Sequence, residues 1–435
     1  MGYKDAQKHI SEYFADKDRK QLEKELFYTN PELFNEIAKY RNYGLPKRYR
    51  NAAKKFPINN DLFFFESNLA KQYTGNPRYI YERMLELYPN LTYVWAYHGD
   101  KSIIPGNPIV VERKSDDYYK YLAQARIIIN NTTFPNWYHR PETFYLQTWH
   151  GTPYKRMHWD RHNPRNPIKK SSPHFYAKST GWDVLLSPNH YSTEKFRSCF
   201  KYEGKIFESG YPANDIFYNK EKYESKRNLI REKLGISDDA LVYLYAPTWR
   251  DGGHLGHSMF KFDLLFDPVK FLDSAPENSI LLIRSHHMSE ATKELSVLKG
   301  RAIDVSDWDD AVELMCASDI LITDYSSIVF DWYCSKKPVI YYVPDLEEYE
   351  NKTRGVYFDI NEVNCGVICK SEDELYDNLD VRDAPFYAEF YDEFCSLHNG
   401  NSSDEVIKYV IDKNRVSSMD KLKNFIKRSG KRMFK

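Results

Sequence analysis

The chain has 435 residues, in which 62 Lys and Arg side chains balance 62 Asp and Glu side chains. At about 150 residues per domain, this length predicts two or three domains that each bury a core. The modest Gly and Pro content excludes a largely disordered chain. No segment approaches the roughly 20 apolar residues that cross a bilayer, which excludes a polytopic membrane protein. The N-terminal residues lack an apolar run of signal-peptide length, so we expect a cytoplasmic protein.

The apolar pattern along the chain predicts two successive sheets. Residues 1–55 are charge-rich and predict a helical segment. Beyond them, short apolar runs alternate with helical or loop-like segments, which is typical of βαβ units and parallel strands. The first series of strands is predicted at residues 62–67, 91–97, 108–112, 125–131, 144–149, 182–187 and 205–210. After a charged helical stretch, the second series is predicted at residues 241–246, 279–284, 301–305, 319–323, 338–343 and 355–359.

This order predicts an α/β protein with two Rossmann-like, doubly wound lobes. The predicted organisation is an N-terminal helical segment (1–55), a first lobe (56–235), a second lobe (236–400) and a C-terminal helix with a basic tail (401–435). In open α/β sheets, ligands bind just beyond the carboxyl ends of the strands. We therefore expect the functional residues directly after the strands, facing a cleft between the lobes.

The tail is rich in Lys and Arg from Lys413 onward, with Asp420 as its single acidic residue. Its apolar residues recur every three or four positions, which predicts a helix with an apolar stripe flanked by cations. Such a helix suits the surface of an anionic membrane. A solvated tail is the alternative interpretation.

The first motif after a predicted strand is FYLQTWHGTPYKRM, at residues 144–157. Gly151 permits a sharp turn that would hold His150 at the strand end. An imidazole is suited to take a proton from a hydroxyl near neutral pH, and Lys155 could contact a phosphate. A structural histidine in a tight turn is the alternative interpretation.

The second motif is LYAPTWRDGG, at residues 244–253, where a strand opens into a polar loop that ends in two glycines. Arg250 offers a planar set of donors for phosphate oxygens, and Thr248 supplies a further hydroxyl. An ion pair between Arg250 and Asp251 at the loop surface is the alternative interpretation.

The third motif is ILLIRSHHMSE, at residues 280–290. Arg284, His286 and His287 follow its strand and could neutralise a diphosphate and the charge that develops on a leaving phosphate. Metal binding is the competing interpretation. Because no carboxylate-rich cluster accompanies these residues in the sequence, we predict no metal site.

The fourth motif is SDILITDYSSIVFDW, at residues 318–332. Its strand ends at a turn containing Asp324, and Ser326 and Ser327 begin a predicted helix. Free backbone N–H groups at a helix start and the serine hydroxyls are donors for phosphate oxygens. Ser326 could also cap the helix, which is compatible with phosphate binding.

Together, the four motifs predict a diphosphate site between the lobes. The sequence contains no Gly-x-x-x-x-Gly-Lys-Ser/Thr loop, which makes a P-loop kinase or ATPase a poor fit. No Gly-x-Gly-x-x-Gly turn follows the first strand, which argues against a nicotinamide enzyme.

The segments QTWHGTPYK, APTWRD, RSHH and SDILITDYSSIVFDW resemble the CDP-glycerol glycerophosphotransferase family, which includes wall teichoic acid primases and polymerases and related capsule polymerases. The resemblance implies a glycosyltransferase-B-like fold whose cleft binds a CDP-polyol, CDP-glycerol or CDP-ribitol, without a required cofactor. It also implies transfer of glycerol phosphate or ribitol phosphate to a hydroxyl of a lipid-linked acceptor, with release of CMP. Residues 68–70 stand where many relatives are glycine-rich.

The resemblance further implies roles for individual residues. His150 matches the family's catalytic base, and His286 is similar to the histidine that contacts the diphosphate, so both are catalytic candidates. The remaining candidates for substrate binding are Thr152, Lys155, Thr248, Arg250, Arg284, His287, Asp324, Ser326, Ser327, Glu347 and Glu348.

Two other functions stay open at this point. One is a nucleotide-sugar glycosyltransferase of the same architecture, and the other is a non-catalytic module that binds anionic polymers or membranes. The expected partners are the CDP-polyol, a lipid-linked saccharide or polyol-phosphate acceptor and the inner face of the cell membrane, with no nucleic acid. The sequence does not decide between glycerol and ribitol, between one unit and many, between teichoic acid and capsule, or whether the chain forms a homo-oligomer.

Overall fold

The structure, a computed structural model, describes residues 46–135, 139–161, 175, 178–248, 264–284, 300–347, 349 and 355–415. Within these ranges the fold is α/β, with one seven-stranded sheet and one six-stranded sheet. Neighbouring strands within both sheets are parallel.

The first sheet has the order β3-β2-β1-β4-β5-β6-β7. Its strands are β1 (Asn59–Glu66), β2 (Thr92–Ala96), β3 (Ile109–Val111), β4 (Ala125–Asn130), β5 (Phe144–Gln147), β6 (Val184–Ser187) and β7 (Lys205–Glu208). The helices along this part of the chain are α1 (Lys47–Lys55), α2 (Gly75–Leu87), α3 (Asp116–Gln124), α4 (His190–Phe200) and α5 (Lys220–Leu234). Strands β4, β5 and β6 are buried along their whole length, as continuous apolar runs of a sheet covered on both faces should be.

The second sheet has the order β10-β9-β8-β11-β12-β13. Its strands are β8 (Leu241–Tyr245), β9 (Ser279–Ile283), β10 (Ala302–Asp304), β11 (Ile320–Thr323), β12 (Val339–Tyr342) and β13 (Val367–Cys369). The remaining helices are α6 (Pro268–Ser274), α7 (Ala311–Ala317), α8 (Ile328–Tyr333), α9 (Glu372–Asp377), α10 (Ala388–Phe394) and α11 (Ser402–Arg415).

The strand order reverses at the same place in both sheets. In the first sheet, β2 and β3 extend from one side of β1, and the chain then crosses back so that β4 pairs with the other side of β1. In the second sheet, β9 and β10 lie on one side of β8, and β11 pairs with the other side. At such a reversal the loops on either side diverge and leave a crevice at the carboxyl ends of the strands, where ligands bind in folds of this type.

One predicted strand is wrong. Residues 355–359 do not form the sixth strand of the second sheet, which is β13 instead. Val356 forms an isolated antiparallel bridge with Lys155 of the first lobe, and the backbone N–H of Tyr357 donates to the carbonyl of Tyr154. The apolar run is therefore placed between the lobes, where it pairs with the segment that follows the first motif.

The two lobes share further contacts. Helix α11 follows the second lobe in sequence but packs on the first, where Val406, Ile407 and Val410 are buried in the same core as Phe65. Helix α5 runs to the second lobe, where its buried Arg231 pairs with Asp319 at 2.7 Å. The predicted boundaries at residues 55, 235 and 400 stay predictions.

No helix within the described ranges is long and apolar enough to cross a bilayer. All six cysteines are buried free thiols.

Candidate active site

His150 lies on a tight turn that follows β5. The preceding Trp149 has a left-handed backbone (φ +54°) and is buried against Phe200, with 4.7 Å between ring centroids. The backbone N–H of Trp149 donates to the side-chain oxygen of Gln147 at 2.9 Å, which closes the turn. The His150 ring stacks on the indole of Trp149 with centroids 4.3 Å apart, so the anchored tryptophan determines where the imidazole lies.

The His150 imidazole is oriented by one strong hydrogen bond. Its Nδ1 lies 2.6 Å from the backbone carbonyl of Asn131, which follows β4. Because a carbonyl can only accept, Nδ1 carries the proton and Nε2 is the unprotonated nitrogen. Part of the ring is exposed, but the surrounding protein desolvates it, and this desolvation lowers the pKa of His150. The hydrogen bond to the Asn131 carbonyl has the opposite, smaller effect on the pKa. The neutral imidazole can therefore act as a base through Nε2.

Buried polar groups hold the backbone on both sides of His150. The Tyr211 hydroxyl lies 3.4 Å from the N–H and 3.3 Å from the carbonyl of Gly151. The Asn76 amide lies 3.4 Å from the carbonyl oxygens of Thr148 and Trp149. Sequence reasoning missed Asn76, Tyr211 and the position of Asn131. The polar pair Asn130–Asn131 at the end of an otherwise apolar strand was an available signal for that strand end.

The His150 turn reaches the second lobe at the start of α8. Gly151 (φ +148°) lies so close to Ser327 that a Cβ on Gly151 would be 3.0 Å from the serine Oγ. A larger residue at position 151 would therefore displace Ser327. Because Gly151 belongs to the first motif and Ser327 to the fourth, these two motifs are neighbours in the fold. The structure thus brings the candidate base beside the candidate phosphate loop.

The loop before α8 is tied to the loop after β8. The Asp324 carboxylate accepts from the backbone N–H of Thr248 at 2.7 Å, and the Thr323 hydroxyl donates to the carbonyl of Ala246 at 2.8 Å. Ser326 Oγ lies 3.5 Å from the N–H of Ile328, a long contact for a cap. Because α8 has only six residues, the serine hydroxyls and loop N–H groups are better phosphate donors than a helix dipole.

Three other candidates already have structural partners. The buried Thr152 hydroxyl accepts from the Asn189 amide at 3.3 Å. Arg284 donates to the backbone carbonyls of Val305 and Trp308, which anchors that loop of the second lobe. Lys155 forms the bridge to Val356, with its ammonium 5.7 Å from the Tyr349 ring centroid. Their substrate contacts stay predictions.

Five candidates for substrate binding or catalysis remain. Glu347 is exposed on the second lobe. The other four candidates lie outside the described residues: Arg250, His286, His287 and Glu348. Within the described ranges, no group of three or more His, Cys, Asp or Glu side chains is arranged to hold a metal ion.

The loop after β1 has an unusual backbone next to this site. Asn68, Leu69 and Ala70 have φ values of +45°, +60° and +66°, a left-handed conformation that non-glycine residues rarely adopt in succession. The N–H of Asn68 donates to the side-chain oxygen of Asn131 at 2.9 Å. This strained loop therefore packs against the residue whose carbonyl orients His150.

The chain is similar to known proteins along most of its length. Residues 48–412 match the family model described as CDP-Glycerol:Poly(glycerophosphate) glycerophosphotransferase. The chain is 37% identical over 393 residues to a teichoic acid poly(glycerol phosphate) polymerase of Bacillus subtilis (strain 168), covering 86% of this chain and 52% of that protein. A polymerase of the same description from Bacillus spizizenii (strain ATCC 23059 / NRRL B-14472 / W23) is 35% identical over 367 residues, covering 82% and 93%. The chain thus spans about half of the first relative and most of the second.

Among more distant relatives, the ribitol-phosphate polymerase TarK of Staphylococcus aureus (strain NCTC 8325 / PS 47) is 26% identical over 359 residues, covering 79% of this chain and 67% of that protein. Among solved structures, a histidine-to-asparagine variant of the wall teichoic acid polymerase TagF, soaked with CDPG, superposes with a TM-score of 0.77 at 32% identity. The match covers 92% of this chain and 99% of that chain. It confirms the predicted two-lobed, glycosyltransferase-B-like fold.

Proposed function

The chain belongs to the CDP-glycerol:poly(glycerophosphate) glycerophosphotransferase family, and we propose that it transfers glycerol phosphate from CDP-glycerol to a hydroxyl of a lipid-linked acceptor. The predicted family and the predicted glycerophosphotransferase-like activity are confirmed. The names of the relatives support teichoic acid synthesis, which the sequence by itself left open against capsule synthesis. One observation carries the specific proposal: the turn that carries His150, whose Nε2 is unprotonated, approaches the candidate phosphate loop of the opposite lobe at Gly151 and Ser327.

The reaction follows from this placement. The acceptor oxygen attacks the β-phosphorus of CDP-glycerol while its proton passes to Nε2 of His150. A new oxygen–phosphorus bond forms, the bond between the β-phosphorus and the bridging oxygen breaks, and CMP leaves with that electron pair. The base contributes about 10²–10⁴-fold, and positioning of donor and acceptor contributes the remainder. No covalent enzyme intermediate is needed.

The donor diphosphate is proposed to lie against the second lobe. Ser326 and Ser327 supply hydroxyls at the reversal point between β8 and β11, where a ligand crevice is expected. The Asp324 bond to the Thr248 backbone positions the loop that carries these serines. His286 and Arg250 stay predicted contributors to charge neutralisation.

Glycerol is favoured over ribitol as the transferred polyol. Three relatives whose names specify poly(glycerol phosphate) are 37%, 35% and 36% identical to this chain, whereas TarK, whose name specifies ribitol phosphate, is 26% identical. This difference supports CDP-glycerol as the donor. Mass analysis of products formed from CDP-glycerol and CDP-ribitol with a lipid-linked disaccharide acceptor tests this choice.

His150→Ala tests the catalytic role. We expect CMP release to fall about 100-fold or more while the calorimetric affinity for CDP-glycerol stays nearly unchanged, because Nε2 is assigned to the acceptor proton. His190→Ala is the matched control, since His190 is an exposed histidine of α4. Near-normal turnover of His150→Ala would remove the base assignment. Release of UDP from UDP-sugars instead of CMP from CDP-glycerol would favour the glycosyltransferase alternative.

We also propose that the enzyme works at the inner face of the cell membrane, because a lipid-linked acceptor resides there. The basic segment predicted to contact lipid begins at Lys413, and most of it lies outside the described residues. Sedimentation with anionic vesicles, comparing the full chain with a chain shortened at residue 415, tests this part of the proposal.

A further inference from the structure

A cluster of cationic side chains lies close to the His150 turn in the first lobe. Arg113, which follows β3, donates through Nη2 to the carbonyl of Thr133 at 2.9 Å. The Lys178 ammonium lies 3.5 Å from the hydroxyl of the same threonine. Lys114 is the exposed neighbour of Arg113 and has a left-handed backbone (φ +69°). Cations from two distant parts of the sequence therefore converge on the segment that follows β4.

This cluster is only partly neutralised by acidic groups. Glu66 is fully buried and pairs with Arg113 at 3.2 Å, but it also accepts from Tyr118 at 2.6 Å and from Asn130 at 2.9 Å. Across the part of the chain that the structure describes, neither Lys178 nor Lys114 pairs with a carboxylate. The carbonyl of Lys114 accepts from Arg48, whose own charge is paired with Asp116 at 3.4 Å. Among the described residues of the cluster, the unpaired positive charge therefore comes from Lys114 and Lys178.

The titration of Lys178 reflects this charge. Burial lowers the pKa of the Lys178 ammonium, and the charges of Arg113 and Lys114 lower it further. Because like charges repel one another, an anion placed among these side chains would be bound favourably. A half-buried position also reduces screening by salt compared with a fully exposed lysine.

The cluster contacts the same segment that orients His150. Thr133 is two residues beyond Asn131, whose carbonyl bonds His150, so the connecting chain spans at most about 7 Å. His150, Arg113 and Thr133 all follow parallel strands of the first sheet, whose carboxyl ends share one edge. The second lobe holds the proposed donor phosphates, so this edge belongs to the acceptor side.

We propose that Arg113, Lys114 and Lys178 form a binding site for a phosphodiester of the acceptor, next to the hydroxyl that His150 deprotonates. This inference rests on the proposed function. Of the two acceptors expected from the sequence, a chain that already ends in glycerol phosphate would place a phosphate among these cations, whereas an uncharged saccharide has nothing to pair with them. Arginine and lysine are the side chains that bind phosphate oxygens most strongly.

The test compares a charged with an uncharged acceptor. A synthetic glycerol phosphate tetramer and free glycerol each serve as acceptor with CDP-glycerol, and CMP release gives kcat and KM. For Lys178→Gln and for Lys114→Gln we expect the KM of the tetramer to rise about fivefold, equivalent to about 1 kcal/mol. The kcat, the KM of CDP-glycerol and the rate with glycerol should stay unchanged. The KM of the tetramer should also rise with salt concentration in the wild type more than in the variants.

Lys408→Gln, at an exposed position of α11, is the matched control and should leave every constant unchanged. Lys178→Arg retains the charge and should retain the wild-type KM. Thermal unfolding of each variant detects loss of folding, and Lys114→Gln at an exposed loop keeps the test decisive if Lys178→Gln unfolds. Equal effects on both acceptors, or no effect on the tetramer, would overturn the proposal.

Two further measurements identify the occupant of the cluster. Calorimetric titration of the tetramer into the wild type and Lys178→Gln tests the site even if no CMP is released, an outcome that would refute the proposed function alone. Sedimentation with phosphatidylglycerol vesicles tests a lipid headgroup as the occupant. Loss of vesicle binding together with an unchanged KM for the tetramer would assign the cluster to lipid and overturn the acceptor site.

Discussion

Gly151 of the first lobe and Ser327 of the second are in direct contact, because a Cβ placed on the glycine would lie 3.0 Å from the serine Oγ. Gly151 directly follows the candidate base, and Ser327 begins the helix after the candidate phosphate loop. This single approach joins two motifs that are far apart in the sequence, and it brings the turn that carries His150 to the loop that carries Ser326 and Ser327.

Gly151→Ala should disturb this contact. The added methyl group meets Ser327, and the backbone (φ +148°) is strained for any residue with a Cβ, so His150 or the phosphate loop must move. We expect kcat/KM for CDP-glycerol to fall about tenfold or more, because misplacement of reacting groups by about 1 Å has effects of this size. Steady-state CMP release is the measurement.

Gly235→Ala is the control for this substitution. Gly235 ends α5 with φ +68°, and a Cβ there would meet no atom within 4 Å. It should cost about 1 kcal/mol of unfolding free energy through backbone strain and leave kcat/KM unchanged. Equal losses of activity in the two variants would show that Gly151 has no special relation to Ser327.

The acidic limb of the pH–rate profile should report His150. Its pKa is lowered by burial, and the imidazole must be neutral to accept a proton. Activity should therefore persist as pH falls through the ordinary value of about 6.5 and decline only below it. The profile of kcat/KM for the wild type, with His150→Ala as the comparison lacking this limb, checks the expectation. An acidic limb centred above that ordinary value would contradict it.

The ion pairs of Arg78 connect the lobes and should matter for stability. From α2, Arg78 contacts Asp310 at 3.1 Å and Glu313 at 2.7 Å at the start of α7, and all three side chains are at most 13% exposed. Arg78→Ala leaves the buried Asp310 carboxylate without its cation, while Glu313 keeps Lys226 at 3.2 Å. We therefore expect the free energy of unfolding to fall by about 3 kcal/mol in denaturant titrations.

Arg83→Ala, on the same helix, is the matched control. Arg83 pairs with Asp404 at 2.6 Å, but these side chains are 32% and 45% exposed. Solvent screening reduces the value of such a pair, so the loss should stay below about 1 kcal/mol. Similar losses for the two arginines would indicate that the interlobe contact carries no special stability.

Asp331 should make stability depend on pH. Burial raises its pKa to about 6, although the Asn214 amide, 2.8 Å away, opposes this effect. The folded chain then holds this proton more tightly than the unfolded chain, so its contribution to stability is fully present below about pH 4 and is lost as pH rises toward 6. Asp331→Asn removes this loss and should gain about 2 kcal/mol at about pH 7.5 relative to its effect at about pH 4.

Thermal and denaturant unfolding at both pH values measure this difference, and Asp412→Asn at an exposed position of α11 serves as control. A variant that is equally destabilised under the acidic and the mildly basic condition would show that Asp331 is ionised without penalty in the folded chain.

The strands and the candidate base could be recognised without the fold. Parallel strands buried on both faces are continuous apolar runs, a pattern set by near neighbours, and His150 stands out because it directly follows such a run. The same local signal failed at residues 355–359. That apolar run is as suitable for a strand as β13, and only competition for the edge of β12 decides which of them pairs.

The amino-acid sequence by itself predicts the two-lobed α/β class, the polar strand ends and the family, since each depends on residues that are adjacent along the chain. Which strand ends meet depends instead on the tertiary fold. The hydrogen bond that orients His150 is made to the backbone carbonyl of Asn131. Because every residue has such a carbonyl, no side-chain motif predicts this bond. Arg113, Lys114 and Lys178 likewise form a cluster only because the order of strands in the sheet brings separate loops to one edge.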